Sequence, residues 1–365
     1  ELYTHKSEVP GSIGPGEVYT VMEDSASRLW VGTLDGGLSR RDPGSPIFIQ
    51  YRAEEGNPQS IADNIVNALA EDSQGRIWVA TNDGLSIINP HDSSIKNFRG
   101  GEGQAGMLRD RSVYSLFRDS SDRIWLGYFR RGIDIVSSKG ELLKSLQYEE
   151  GNSKSLSDNM IHFINETKDG SIWVGTNKGL NRFDNTVTLI NNYFYDPSNP
   201  HSIASNVVRC MHEDGEGRLW FGTAGGGLAR LDPDKGTFSS IFMRDGLPDN
   251  SVYSIKDDHT GKLWLGTPQG LCIYNPQTGE TTILDMFDGL QSLSFTQASW
   301  RSKDGSLWFG GSAGLNHIYP GELSRNTRPP RVQLTSFKVF GRELSSERLQ
   351  SRTLILSAEE NSFSA

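Results

Sequence analysis

Arg218-Leu219-Trp220-Phe221-Gly222-Thr223, led in by Glu213-Asp214 and followed by Gly226-Gly227-Leu228, decides the fold, because the chain writes it seven times. Trp30, Trp78, Trp125, Trp173, Trp220, Trp264 and Trp308 stand at steps of 48, 47, 48, 47, 44 and 44 residues. Only Trp300 lies outside that series. A period of 40–50 residues carrying four short strands predicts propeller blades. The expectation is an all-β protein: a seven-bladed β-propeller of four-stranded blades over residues 1–320, then a truncated β-sandwich segment over residues 321–365.

Each repeat gives four strand signals. Strand A is an apolar run that ends in an acidic pair, as in Val18 to Glu23-Asp24. A tight polar turn leads to strand B, Leu29-Trp30-Val31-Gly32-Thr33. A glycine turn leads to strand C, Gly37-Leu38-Ser39-Arg40, and an aromatic strand D follows, as in Phe48-Ile49-Gln50-Tyr51. Between repeats recur Pro10-Gly11-Ser12-Ile13, Pro58-Gln59-Ser60-Ile61, Ser153-Lys154-Ser155-Leu156 and Pro200-His201-Ser202-Ile203. Repeat seven lacks a strand D before Pro329-Pro330, whereas residues 1–6 read as a strand D without a blade. Pairing the two closes the ring and removes a sheet edge. The alternative gives residues 1–6 to a blade of a further propeller upstream.

Composition narrows the function. Forty glycines and 35% hydrophobic residues suit short strands and many turns. A formal charge of −9 without basic runs excludes nucleic acid as an expected partner. No apolar run reaches 18 residues, so the segment itself is not expected to span a membrane. Glu1 is not a natural start, which reads as a mature chain or a fragment. Cys210 and Cys272 fall in strands of different repeats and are expected as separate buried thiols. Seven scattered histidines show no zinc spacing, and neither a metal nor a cofactor is expected.

The repeats show where function is not. A tryptophan at the same place in every blade reads as packing between blades. The pairs Glu23-Asp24, Glu71-Asp72, Glu213-Asp214 and Asp257-Asp258 repeat too, so each is assigned to its own turn and not to acid–base chemistry. Arg118 and Arg301, which replace the usual Glu, read as members of local ion pairs.

Function is sought where the repeats disagree. Eleven residues before each motif tryptophan stand Tyr19, Asn67, Tyr114, His162, Arg209, Tyr253 and Gln297, all polar or polar-tipped. Two positions on, Val21, Leu69, Leu116, Ile164, Met211, Ile255 and Ser299 read mostly as core. Strand A is innermost in a propeller, so the first column is expected as a polar ring at the axial mouth fed by the D–A connections. Such a ring suits a sugar or small polar ligand, or is a solvated pore lining. Repeat three also departs in its B–C turn: Tyr128 replaces the motif threonine, and Phe129-Arg130-Arg131 follow. Tyr128, Arg130 and Arg131 are expected to bind a carboxylate or sulfate. Alternatively they pack on a partner domain or pair with local acids.

The succession of acidic pair, turn, Leu/Ile-Trp-Val-Gly-Thr, Gly-Leu and Asn/Asp-Pro resembles the two-component regulator propeller repeat, over nearly all of residues 1–320. Phe309-Gly310-Gly311 followed by Pro329-Pro330-Arg331-Val332 resembles the junction to that family's Tyr-rich β-sandwich. The resemblance implies a periplasmic sensor region, tethered downstream to the inner membrane. It implies a histidine kinase or diguanylate cyclase output outside this chain, and an oligosaccharide or other small ligand. The sensor region itself is then not an enzyme, and a homodimer interface in the full-length protein carries the signal. The competing expectations are a protein-binding scaffold and a polysaccharide lyase or glycosidase, for which Tyr114, His162 and Arg209 are the nearest candidates.

Overall fold

Strand pairing in this computed structural model runs between sequence neighbours, repeat by repeat. Residues 1–100 and 108–322 are described throughout, together with short strand segments at 338–339, 342–343 and 363–364. Blade 1 is the meander Val18–Glu23, Leu29–Thr33, Leu38–Arg41 and Ile49–Tyr51, and five further blades repeat it. In blade 7, strands A to C are Phe295–Arg301, Leu307–Gly311 and Gly314–Ile318. Its fourth strand is Leu2–Tyr3, which pairs antiparallel with strand C, Leu2 opposite Asn316 and Tyr3 opposite Leu315. The described residues thus contain seven four-stranded blades.

Each blade is covered on both faces by its neighbours. Strand B therefore reads as a continuous apolar run, and all of Leu29–Thr33 is buried. The motif tryptophans sit at the seams. Trp30 packs with Ile61, Val66, Ile77 and Val79 of blade 2, and Trp220 packs with Val252, Ile255 and Leu265 of blade 6. The motif glycine of strand B marks where the next blade comes closest. A Cβ on Gly32 would lie 2.5 Å from Val66 Cγ1 and 2.6 Å from Thr20 Cγ2.

The acidic pair divides its work. Asp24 Oδ1 accepts from the Ala26 and Arg28 amides, and its Oδ2 accepts from Arg28 Nε at 2.6 Å and Trp30 Nε1 at 2.8 Å. The Glu stitches blades together: Glu71 accepts from the Ser25 amide, Glu166 from that of Ser120 and Glu213 from that of Lys168. Arg118 pairs with Asp122 at 2.7 Å, and Arg301 reaches Asp257 of the preceding blade at 2.8 Å. Cys210 and Cys272 are free thiols, and burial pushes each up to about 12.

Residues Gly321–Ala365 form a separate unit. Its Lys338–Val339 strand pairs antiparallel with Arg342–Glu343 and with Phe363–Ser364. The strand expected at Leu354-Ile355-Leu356 lies outside the described residues.

Candidate functional site

Strand A of six blades carries a local register shift, and in each the shift falls on or spans the variable column. In blade 1, Val18 faces Thr33 and Thr20 faces Gly32, so Tyr19 is the extra residue of a β-bulge. Asn67, Tyr114, His162 and Arg209 are the extra residues of blades 2 to 5 by the same register shift. In blade 6 the regular strand starts at Ser254, one residue after Tyr253. In blade 7 the shift between Phe295 and Ser299 is longer and contains Gln297. A bulge frees a residue from the ladder and re-aims its side chain. In blades 1 to 5 it turns the side chain toward the axis, and Tyr253 and Gln297 line the same cavity from blades 6 and 7.

All seven line one cavity of about 340 Å³. Tyr19, Arg209, Tyr253 and Gln297 also border a recess of about 220 Å³ with Glu17 and Ser294 of the D–A connections, which places the ring at that mouth. The ring is knit across blades. Tyr19 and Tyr114 share a hydroxyl–hydroxyl hydrogen bond of 2.5 Å, and Gln297 Nε2 donates to the Asn67 carbonyl at 3.3 Å. Tyr114 meets His162 edge-on at 6.1 Å between ring centroids. Asn67 is held from below by bonds to Asn82 Oδ1 and the Val113 carbonyl. The column two positions on also lines the cavity, as a wall apolar in six blades and Ser299 in the seventh.

Electrostatics single out two members. Burial, then the neighbouring Arg209 charge, lowers the pKa of His162 to about 4, so the imidazole is neutral at pH 7. His162 Nε2 lies 2.8 Å from Asn177 Oδ1, which assigns the proton to Nε2 and leaves Nδ1 to accept from Arg209 Nη1 at 3.5 Å. Arg209 stacks over Tyr253 at 5.8 Å, and its buried Nε has no hydrogen-bond partner among the described residues.

The blade 3 turn divides differently from its expectation. Tyr128 is corrected: it is 0% exposed, and its hydroxyl donates to Asp134 Oδ2 at 2.9 Å inside the blade core. Where the motif threonine is present, in five blades, its hydroxyl points into the B–C turn, as when Thr81 Oγ1 donates to the Gly84 carbonyl. A tyrosine there becomes core. Arg130 and Arg131 are exposed on the turn. Arg130 lies over Phe129, whose ring stands 5.9 Å from Tyr114, so the turn borders the ring without entering the cavity. Asn165, Lys256 and Trp300 line the cavity as well and were not among the expected residues. They share the column eight residues before the motif tryptophan, which varies between repeats as strongly as the ring does.

No cluster of three or more His, Cys, Asp or Glu able to hold a metal ion occurs among the described residues, and no helix there is long and apolar enough to cross a membrane.

Fold and cavity together define a seven-bladed β-propeller with a polar axial site. Residues 60–83, 155–178, 202–225 and 246–269 each match the two component regulator propeller family. Four of the repeats thus match that family. Histidine kinase P4 of Formosa agariphila is 33% identical over 105 residues, which are 28% of this chain and 8% of that protein. A solved extracellular domain assigned to a hybrid two component system of B. thetaiotaomicron aligns over 95% of this chain and 58% of that domain. Its TM-score is 0.57 at 19% identity. Virginiamycin B lyase of Staphylococcus aureus aligns over 82% of this chain and 94% of its own, with TM-score 0.62 at 14% identity. At those identities the two structures speak for the fold alone. The chain spans a small part of the curated relative and a little over half of the B. thetaiotaomicron domain.

Proposed function

We propose that this propeller is the ligand-sensing part of a membrane-bound signalling protein, lying outside the cytoplasm, in the periplasm. A small polar ligand or an oligosaccharide enters the axial cavity. A histidine kinase or diguanylate cyclase elsewhere in the full-length protein reads the occupancy, through a homodimer. Residues 321–365 begin the Tyr-rich β-sandwich that passes the signal on. One observation carries the reading: in otherwise uniform repeats, the innermost strands of all seven blades turn polar side chains of five kinds, Tyr, Asn, His, Arg and Gln, into a single cavity. Structure alone would be satisfied by seven alike. The propeller repeats and the kinase relative support the signalling context.

Thermal unfolding against a panel of neutral and acidic oligosaccharides tests it. A ligand of the folded state stabilises by roughly 2.7 kcal/mol at a hundredfold excess over Kd. The expected result is a rise in Tm that Tyr114→Ala and Gln297→Ala abolish. Replacing Arg130 and Arg131 by Ala is expected to weaken binding of acidic sugars only, because both stand at the rim. A flat panel overturns the axial reading.

A protein-binding scaffold is the second reading. Met243, Met286 and Phe287, in the D–A connections of blades 5 and 6, are exposed, Phe287 fully. A carboxylate-pair glycosidase gains nothing from the cavity, since no Asp or Glu is among its described lining residues.

A further inference from the structure

The chain is acidic overall, with 45 Asp and Glu against 36 Lys and Arg. The described lining of its axial cavity inverts that balance. It contains Arg209 and Lys256 and no carboxylate. His162 beside Arg209 is neutral, for the reasons given above. Neither cation has an ion-pair partner among the described residues. Arg209 touches a neutral imidazole and a tyrosine face, and its Nε is orphaned. Asp257, next to Lys256 in sequence, is taken by His212 at 3.1 Å and Arg301 at 2.8 Å. Burial opposes its ionisation, yet His212 and then Arg301 outweigh that and hold its carboxyl at about 2. Glu17, exposed on the D–A connection, borders the recess at the mouth, and the Asp158 charge acts on His162 against that of Arg209.

Arg209 is permanently charged and costly to keep desolvated without a counter-ion, and burial lowers the pKa of Lys256, so an anion in the cavity would also favour that ammonium. Low-dielectric walls focus the positive field along the axis and favour an anion there. A carboxylate suits a guanidinium by charge-assisted, two-pronged hydrogen bonding. The neighbouring groups are hydroxyls and an amide, from Tyr19, Tyr114 and Gln297, which match the hydroxyls of a polyol. We infer that the axial cavity takes a small polyhydroxylated carboxylate, its carboxylate on Arg209 with Lys256 as the second cation. The inference rests on the axial-sensor reading and names the chemistry of its ligand.

The test uses His162 as a reporter, because its imidazole lies against Arg209. The probes are sodium galacturonate, neutral galactose, and sodium acetate as a carboxylate without hydroxyls. The readout is the imidazole NMR signal and its titration midpoint, assigned by comparison with His162→Gln. A carboxylate on Arg209 offsets that positive charge, so galacturonate is expected to raise the midpoint. Galactose is not expected to do so. Arg209→Gln is expected to raise the midpoint without ligand and to weaken galacturonate binding on the order of 10- to 100-fold, the worth of a charge-assisted hydrogen bond. Its Tm should hold, since an unpaired cation is being removed, and Arg209→Lys should keep part of the affinity. An equal response to acetate retains the carboxylate site and drops the hydroxyl recognition. Equal responses to galactose and galacturonate, both insensitive to Arg209→Gln, overturn the carboxylate and leave the axial site standing. No response to galacturonate or acetate, with the oligosaccharide panel still giving a Tyr114-dependent shift, does the same. Silence in both experiments removes the inference and the sensor reading together.

Discussion

A buried indole N–H needs an acceptor, and the aspartate six residues before each motif tryptophan supplies it in blades 1, 2, 3, 5 and 6. Burial opposes ionisation of Asp214, but the bonds from Trp220 and Arg218 prevail and hold its carboxyl below the usual range. In blade 7 Ser302 replaces the carboxylate and accepts from Trp308 at 2.9 Å. In blade 4 the residue is Thr167, and Trp173 Nε1 has no partner among the described residues. The contrast yields a prediction. Asp214→Ala strands the Trp220 N–H and two backbone amides and should cost on the order of 3 kcal/mol in urea unfolding. Thr167→Ala should cost less, because no indole bond is lost. A second residue-scale prediction concerns pH. The folded state holds His162 near 4 while the unfolded chain titrates near 6.5. Between those values the unfolded state binds more protons, so stability falls as pH drops through the window, by up to about 3 kcal/mol. Denaturant melts at pH 7 and pH 4.5 should show a smaller loss for His162→Gln than for the natural chain. An equal loss would place the imidazole in a more solvated setting.

Strand B with its glycine and strand A with its bulge are the elements that build the site. Gly222 stands where Val252 of the next blade approaches, and a Cβ there would lie 2.6 Å from the Val252 carbonyl oxygen. Gly222→Val should therefore splay blades 5 and 6 at the axis. We expect a loss on the order of 3 kcal/mol in unfolding free energy and weaker ligand binding, since Arg209 and Tyr253 belong to those two blades. Gly222→Ala should do less in both measurements; blade 2 carries Ala80 at the equivalent position. The strands themselves were legible in the sequence, because tryptophan, glycine and acidic pair recur in register and mark strand ends by chemistry. The ring was legible for a different reason: a column that varies inside uniform repeats is free of the packing that fixes the rest. The bulge was not legible. Residues as unlike as Tyr19, Asn67 and Arg209 occupy it, and no residue type requires it. Lys256 escaped for a related reason. Strand alternation sets residue 256 on the opposite face from Tyr253 unless a bulge is counted, and the cavity wall takes side chains from both. Tyr128 misled because a departure from the motif was read as exposure, whereas the position itself faces inward.

A propeller holds together as a ring of nearest-neighbour seams, and its weakest seam is expected where the chain closes. Six seams join blades that are consecutive in sequence. The seventh joins blade 7 to blade 1 and depends on residues from both ends of the 1–320 unit. Leu2–Tyr3 supplies the outer strand of blade 7, and the His317 amide donates to the Glu1 carbonyl at 2.9 Å. Tyr3 lies between Phe48 of blade 1 and Trp308 of blade 7, at 5.8 and 5.7 Å between ring centroids. Arg41 of blade 1 bonds the Tyr3 hydroxyl at 2.6 Å and covers the Trp308 ring. Nearer the axis, Thr296 Oγ1 donates to the Val18 carbonyl, and Lys303 reaches the Ser25 carbonyl. Removing residues 1–6 would bare the edge of Gly314–Ile318 and leave the inner contacts to carry the seam. Tyr3→Ala should cost about 2 kcal/mol, the share of a half-buried aromatic, and the deletion should cost more. The deletion should also weaken axial ligand binding, because Tyr19 and Gln297 belong to the two blades that meet at this seam. A peptide of residues 1–6 added in trans should restore Tm in part, by re-pairing the bared edge. Closure within the chain and membership of an upstream blade then separate cleanly. If residues 1–6 close this ring, deletion lowers Tm and the peptide recovers it. If they belong to another propeller, the deleted chain melts where the complete one does, and the peptide changes nothing.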